Sequence, residues 1–250
     1  MKNISRVFLV FVLSLLSCST LADKALHQIR VVGHISLDTY LEVNKKISDK
    51  HEIREVVVSS EGGSALAGMA IGLLIQREGL NVRVEGYCVS SCANYIFPAG
   101  REKIISRDAL IVFHGGFQQE GLLEEALEIR KGNYSRAESA KAQAYNTEKI
   151  PKIFIELFNL KENSTLEDEL SALIELEKKY YKKLRVDERL PTFGHAREYK
   201  AYRDSGKYLG FYYSLKSLDK IGVKNISVLG GDWRPEDNPY ISKVYMVELP

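Results

Sequence analysis

The sequence is poor in several residue types, and each scarcity excludes a class of protein. It has three cysteines, six prolines and one tryptophan in 250 residues, too few for a disulfide-rich scaffold or a proline-rich chain. Its charges nearly cancel, at +2 overall, so nothing indicates a nucleic-acid partner. The five histidines are scattered without the spacing of metal ligands. We therefore predict no metal site, and no cofactor is predicted either.

Long apolar runs are also scarce, and the run nearest the amino terminus is short. Val7–Leu16 follows a basic start and is too short to span a bilayer, which predicts a secretory signal over residues 1–22. Two endings fit this segment. Cleavage could follow Ala22, or a lipobox could end before Cys18, which would then be lipidated. Either ending predicts a periplasmic or otherwise exported protein, and the second would anchor it to a bacterial membrane by lipid alone.

The remaining residues, 23–250, predict one α/β domain in which strands and helices alternate. The predicted strands are Ile29–Ile35, Arg54–Ser59, Val82–Glu85, Lys103–Ser106, Leu110–Phe113, Val223–Leu229 and Ile241–Val247. Such alternation is typical of a mainly parallel sheet with sites at the carboxyl ends of its strands. From about 118 to 190 the chain is charged and amphipathic, which predicts a helical insertion. Two interpretations are open: a solvated helical arm packed on the sheet, which charge-rich helices favour, or a lid or oligomerisation element.

The most informative stretch is Gly86–Ala93, where an alternating apolar segment meets small residues and then a short apolar run. This pattern predicts a strand, a sharp turn and a helix, with Ser90 at the turn. A serine there can be presented as a nucleophile, although serine is also a common helix cap. Cys88 and Cys92 flank it, and they could form a disulfide that clamps the turn or be two small buried residues.

Two further features accompany this turn. Ser59–Gly63 lies one strand–helix unit upstream, and His114 ends a strand-like run downstream. Each feature alone is more often structural: a turn, a core histidine, a helix cap. Because the carboxyl ends of parallel strands meet at one edge of a sheet, we expect all three to lie close together.

These residues, with Ala99-Gly100, resemble the Clp protease proteolytic subunit of the Clp/crotonase superfamily. The likeness is greatest to its exported bacterial branch, in which a Cys-x-Ser-x-Cys stretch carries the serine. It covers about residues 29–115 and returns weakly at Ser214–Val223. The resemblance implies a Clp/crotonase-type fold, with repeated βα units around a mainly parallel sheet.

The resemblance also implies roles for individual residues. Ser90 falls at the position of the nucleophile, and His114 at that of the general base. Gly62 or Gly63 would supply one N–H of the oxyanion hole, and Ser91 would supply the second. These roles agree with the chemistry, because serine needs a base to take its proton and the developing oxyanion needs donors already in place.

The sequence departs from this pattern at the acid that orients the histidine. Counting back from Gly222 leads to Gly210, which carries no carboxylate. Asp204 is the nearest candidate upstream and Asp219 the nearest downstream, and we take Asp204 as the predicted third catalytic residue. The alternatives are a Ser-His dyad, an acid from elsewhere in the chain, or a degraded triad.

The sequence thus predicts an exported serine hydrolase, a Clp-like peptidase that acts on peptides or proteins and that could form a homo-oligomer. The alternative is a Clp/crotonase-fold protein with weak or no catalysis that binds peptides or assembles with partners. A third alternative is an acyl-thioester enzyme of the crotonase kind, which has an oxyanion hole but no serine nucleophile.

Overall fold

The computed structural model describes residues 27–49, 52–130, 150–161 and 165–250. The predicted signal segment and the lipidation candidate Cys18 lie outside these ranges. Within them, none of the helices combines the length and the apolar character that a membrane crossing requires.

The elements alternate as the sequence predicts. The strands are β1 (Gln28–Ile35), β2 (Glu55–Gly63), β3 (Asn81–Val89), β4 (Lys103–Ser106), β5 (Leu110–Val112), β6 (Gly210–Tyr213), β7 (Ile226–Leu229) and β8 (Val244–Val247). The helices are α1 (Leu37–Asp49), α2 (Ala65–Glu78), α3 (a π-helical segment, Cys92–Ile96, continued by an α-helical turn, Phe97–Ala99), α4 (Leu122–Arg130), α5 (Lys152–Phe158), α6 (Leu166–Leu184), α7 (Lys200–Asp204) and α8 (Leu215–Ile221). Short 3₁₀ turns occupy Phe193–His195, Arg197–Tyr199, Pro235–Asp237 and Ile241–Lys243.

The central sheet has the order β1-β2-β3-β4-β7, and all of these pairings are parallel. Strand β3 has two partners on one side. Val82–Val84 pairs with β4, and Tyr87–Val89 pairs with β5, also in parallel. The valines at 56–58 of β2 are fully buried, as expected for a strand covered on both faces. The predicted α/β fold with a mainly parallel sheet is confirmed.

A bulge that contains Gly86 extends β3 beyond its predicted end. Val58 of β2 pairs with Val84, but Ser60 pairs with Cys88, so β3 carries two additional residues in a bulge that contains Gly86. Gly86 has a φ of 78°, which a residue with a side chain rarely adopts. The sequence predicted that β3 ends at Glu85. The bulge lets it continue to Val89, immediately before Ser90.

A second, two-stranded sheet joins β6 to β8. Phe211 of β6 exchanges backbone hydrogen bonds with Phe113, the residue after β5, at 2.8 Å in both directions. Their rings pack against each other and against the ring of Tyr213. The sequence did not predict β6, because a four-residue apolar segment after an irregular stretch has no periodicity that distinguishes a strand. The exchange places Gly210 beside the end of β5.

Helix α2 packs closely against the turn that follows β3, and two of its glycines make this approach feasible. A Cβ atom on Gly68 would lie 3.1 Å from the Cβ of Ser91, and one on Gly72 would lie 2.7 Å from the carbonyl oxygen of Tyr95. The helix begins at Ser64, whose hydroxyl accepts the N–H of Ala67. The glycines of α2 therefore bring it against the start of α3.

The charged segment after residue 118 contains α4, α5 and α6. Helix α6 is amphipathic, and its buried face carries Glu177, Tyr180 and Tyr181. The tyrosine hydroxyls donate to backbone carbonyls of α3. The favoured interpretation, a solvated helical arm packed on the sheet, stays a prediction for this segment. The inner face of α6 is bonded to the helix that follows Ser90.

Lys103 is a lysine that the fold buries without a carboxylate partner among the described ion pairs. It begins β4, is 7% exposed, and lines a cleft of about 240 Å³ with Arg101, Lys183 and Arg185. Burial lowers the pKa of its amine from 10.5 to about 8. Keeping this group charged at neutral pH therefore costs free energy in the folded state.

Replacing Lys103 by methionine should raise the free energy of unfolding at pH 7 by between about 1 and 3 kcal/mol, because methionine fills similar space without a charge. The folded-state pKa lies below the unfolded one. Wild-type stability should thus rise as the pH increases from about 8 to 10.5, where only the unfolded chain keeps the proton. The advantage of the variant should shrink over that window. Urea denaturation of both proteins at pH 7 and near pH 10 measures the difference in their free energies of unfolding, with the exposed Lys45→Met as control. An equal difference at both pH values would show that the buried charge of Lys103 is not its cause.

Candidate active site

Ser90 lies at a one-residue turn and has an unusual backbone conformation. Strand β3 ends at Val89, the helical stretch starts at Ser91, and Ser90 between them has a φ of 57°. The left-handed region costs a residue with a side chain about 1–2 kcal/mol. Such strain persists only where the surrounding structure enforces it, and here it turns a half-buried serine outward at the end of a strand.

Hydrogen bonds and a disulfide hold this turn. The N–H of Ser90 donates to the carbonyl of Val112 in β5 at 3.0 Å, and its own carbonyl accepts the N–H of Asn94 at 2.8 Å. Cys88 and Cys92, both buried, form a disulfide across the turn with their Cα atoms 5.3 Å apart. A disulfide here was one of the two alternatives predicted for this pair, and the structure contains it. The disulfide links the end of β3 to the start of α3.

His114 follows the neighbouring strand. Val89 and Val112 are partners in the parallel register of β3 and β5, so these strands end side by side. Ser90 comes one residue after this pair and His114 two residues after it. The Phe113–Phe211 backbone exchange fixes the chain just before His114, whose side chain is exposed. Both predicted catalytic residues therefore lie at the carboxyl edge of the sheet, on adjacent strands.

Gly62 and Gly63 end β2 at the same edge, and each occupies a position that excludes a side chain. Gly62 has a φ of 94°, and a Cβ atom there would lie 2.6 Å from both the Cβ of Ser90 and the carbonyl oxygen of Val89. Gly63 has a φ of 145°, and its Cβ would lie 2.2 Å from a carbonyl of β1. The backbone of Gly62 thus packs directly against Ser90.

The amides around this pair point in two directions. The N–H of Gly62 donates to Ser60 Oγ at 3.0 Å, and that hydroxyl donates to a carbonyl of β1. The N–H of Ser64 also donates to β1, at 2.8 Å. The carbonyl of Gly63, in contrast, accepts the hydroxyl of Ser91 at 2.9 Å. Gly62 and Ser64 therefore face β1, whereas Gly63 faces the turn that carries Ser90.

At position 210, where the resemblance expects the acid, backbone leaves no room for a side chain. A Cβ atom on Gly210 would lie 3.3 Å from the Cβ of His114 but only 2.5 Å from the carbonyl oxygen of Phe113. Backbone thus fills the space that a side chain at 210 would need. Asp204 ends α7, pairs with Lys200, and its side chain is 51% exposed. The assignment of Asp204 as third catalytic residue stays a prediction.

Three residues that the sequence did not single out lie next to the loop after His114. The amide of Asn94 donates to the carbonyl of Gly115 at 2.8 Å. The imidazole of His195 lies 3.2 Å from the position of a Cβ on Gly115. Glu177 accepts the backbone N–H of Phe117 at 3.1 Å. All three contacts join distant parts of the chain, so no local spacing could have indicated them.

Glu177 is the most deeply buried carboxylate among the described residues, at 0% exposure. Besides Phe117, it accepts the hydroxyl of Tyr95 at 2.7 Å. Burial raises the pKa of its carboxyl, and hydrogen bonds from Tyr95, Phe117 and Gln118 oppose that change. Residues 27–49, 52–130, 150–161 and 165–250 contain no group of three or more His, Cys, Asp or Glu side chains placed to hold a metal ion.

Comparison with known proteins gives structural likenesses alone. No family model matches the chain, and no curated protein matches it. Among solved structures it is similar to ClpP1 from Listeria monocytogenes, with 14% sequence identity and a TM-score of 0.40. The alignment covers 84% of this chain and 96% of that chain. A likeness this remote assigns neither an activity nor a substrate.

Proposed function

We propose that this protein is an exported serine hydrolase, a Clp-like peptidase in which Ser90 is the nucleophile and His114 the general base. The observation that carries the proposal is the left-handed backbone of Ser90 at a one-residue turn between strand and helix. Strain of this kind is typical of a nucleophile held away from its own helix and toward a substrate. The adjacent ends of β3 and β5 support the pairing with His114.

The reaction is acyl transfer in two steps. His114 takes the proton of Ser90 Oγ as that oxygen attacks the scissile carbonyl carbon, and a tetrahedral oxyanion forms. His114 then gives the proton to the leaving amine, whose bond to the carbon breaks and leaves an acyl ester on Ser90. Water then attacks this ester while His114 takes one of its protons; the bond between the carbonyl carbon and Oγ breaks, His114 returns the proton to Oγ, and the acyl group leaves as a carboxylic acid.

For the oxyanion hole we assign the N–H groups of Gly63 and Ser91. Gly62 is the weaker choice, because its N–H already donates to Ser60 Oγ. In extended chain the N–H and C=O of one residue point to the same side. The hydrogen bond from Ser91 to the Gly63 carbonyl therefore supports an N–H of Gly63 that faces the Ser90 turn. Only glycine allows backbone and substrate to approach this closely.

A second candidate function is favoured by one observation. Backbone fills the space beside His114 at Gly210, where the resemblance expects an acid. In the pattern that the chain resembles, an acid at this position orients the histidine and stabilises the imidazolium that forms, and Gly210 does not supply one. Such a protein could use the same edge to bind peptides or to assemble with partners, with little or no hydrolysis.

Export is supported by the disulfide, because bridges persist in oxidising compartments and are rare in the cytosol. We propose that the chain is processed either after Ala22 or before Cys18, and that its substrates are peptides or proteins. Metabolic labelling with a fatty-acid analogue separates the two endings. Label that is lost in Cys18→Ser indicates a lipoprotein, and Met1 retained in protein from the native cell would contradict export.

The hydrolase proposal is tested with a fluorophosphonate probe, which reacts with activated serines. We expect covalent labelling of the wild-type protein and none of Ser90→Ala, because only an activated hydroxyl attacks the phosphorus. Peptide mapping should place the adduct on Ser90. Labelling that persists in Ser90→Ala would contradict the assignment, and an unlabelled wild-type protein would favour the binding function.

A further inference from the structure

Helix α6 contributes one buried carboxylate, that of Glu177, to the contacts around the proposed active site. We propose that Glu177 is a positioning residue that holds the loop after His114 and the helix after Ser90 in register with each other. This inference rests on the proposed function, since it gives Glu177 a role in the Ser90–His114 centre.

The two oxygens of Glu177 bond to the two halves of the centre. Oε1 accepts the hydroxyl of Tyr95 at 2.7 Å, and Oε2 accepts the backbone N–H of Phe117 at 3.1 Å. Tyr95 lies in α3, which begins just after Ser90. Phe117 lies three residues after His114, where the chain forms neither strand nor helix. One carboxylate therefore connects the helix of the nucleophile to the loop of the base.

The surroundings reinforce this connection. Asn94 donates to the carbonyl of Gly115, and the hydroxyl of Tyr181 donates to the carbonyl of Asn94 at 3.0 Å. Gly116 passes so close that a Cβ atom there would lie 2.7 Å from Glu177 Oε1. The loop is thus held by side chains from both α3 and α6.

A buried carboxylate is a costly way to fill space. Removing its charge from water is unfavourable, and apolar residues of similar volume commonly stabilise such positions equally well or better. What a carboxylate provides, and leucine does not, is two directed acceptors on rigid geometry. Its place between Tyr95 and Phe117 therefore indicates a requirement for orientation rather than for stability.

Orientation matters because His114 must meet the proton of Ser90 Oγ in hydrogen-bond geometry, and the backbone of the loop that carries His114 helps to set the direction of its side chain. A loosened loop would leave His114 in reactive geometry for a smaller fraction of time. Because peptide binding need not change, the loss should fall on kcat and leave KM nearly unaltered.

The test compares two substitutions of the same residue in the mature protein. Glu177→Leu removes both acceptors, whereas Glu177→Gln keeps one oxygen for Phe117 and can donate its amide to the Tyr95 hydroxyl. We expect kcat for peptide or ester hydrolysis to fall roughly 10- to 100-fold in Glu177→Leu, with KM within about 2-fold. Glu177→Gln should recover most of the loss. Phe154→Leu, a buried change in α5 that packs against Tyr40, should lower the melting temperature and leave kcat unchanged.

A second readout needs no activity. In a Ser90→Ala background, amide hydrogen exchange of the segment 115–118 should quicken at least about tenfold with Glu177→Leu and not with Phe154→Leu. Exchange that Glu177→Leu leaves unchanged would overturn the role of Glu177. Faster exchange with Glu177→Leu, together with an unchanged kcat of the same substitution in the protein that keeps Ser90, would overturn it as well. Slow exchange in a wild-type protein that neither hydrolyses peptides nor reacts with the fluorophosphonate would instead overturn the proposed function. If Glu177→Leu does not fold, Tyr95→Phe removes one of the two hydrogen bonds and should lower kcat by a smaller factor.

Discussion

Hydrolysis by the mature protein should fall by about 10⁴- to 10⁶-fold when Ser90 is replaced by alanine, and by a similar factor in His114→Ala. Without the serine there is no acyl-enzyme, and without the histidine nothing takes the serine proton. The double variant should be no slower than either single one, because the two residues act as a unit. Steady-state cleavage of a peptide and ester panel by the three variants measures this.

The control is a serine that caps a helix and has no proposed catalytic role. Ser214 accepts the N–H of Ser217 at the start of α8, so Ser214→Ala should lower stability by about 1 kcal/mol and leave kcat unchanged. If Ser90→Ala behaved like Ser214→Ala, with intact hydrolysis, Ser90 would be a cap and the enzyme assignment wrong. Strictly additive losses in the double variant would show that Ser90 and His114 do not share one step.

The second large effect is expected from Gly62→Ala. Its φ of 94° is unfavourable for alanine, and the new methyl would lie 2.6 Å from Ser90 Cβ and from a backbone oxygen. One of the two strands must move, so we expect a loss of about 2–4 kcal/mol in the free energy of unfolding. Displacement of Ser90 should also lower kcat by about 100-fold or more. Urea denaturation and steady-state kinetics on the same preparation measure both effects.

Gly230 provides the matched control for this substitution. Its φ is 84°, close to that of Gly62, but no atom lies within 4 Å of a Cβ built on it. Gly230→Ala therefore tests backbone conformation alone and should cost about 1–2 kcal/mol without a change in kcat. Equal losses of stability in the two variants would mean that the contact between Gly62 and Ser90 contributes nothing.

The parts of the fold that the sequence predicted are those set by local patterns. The three consecutive valines at 56–58 predicted a strand buried on both faces, and the small residues after β3 predicted the turn at Ser90. The parallel arrangement then required Ser90, His114 and the Gly62-Gly63 pair to share one edge. Each of these inferences needs only neighbours in sequence and one general property of parallel sheets.

What could not be predicted depends on contacts between distant residues. The bulge at Gly86 is defined by pairing with β2, and a glycine alone does not reveal it. Strand β6 is held in place by the backbone hydrogen bonds between Phe211 and Phe113, which lies almost a hundred residues earlier in the chain. Glu177 is one of many acidic residues in a charged helix, and only its place against Tyr95 distinguishes it. The sequence shows that position 210 carries no acid, but the backbone that fills the space beside Gly210 became apparent only in three dimensions.

The pairing of β7 with β4 has a consequence for the order of folding. It joins Lys103 to Ile226, so the edge of the sheet closes only after the whole helical segment between them has been made. Closing a loop of about 120 residues costs roughly 1.6 kcal/mol more than closing one of about 20, which favours early formation of β1, β2 and β3. The indole of Trp233, which follows β7, donates to the carbonyl of Ala109 at 2.7 Å. The fluorescence of this single tryptophan therefore reports the late docking of the carboxyl-terminal segment on a sheet that is already formed.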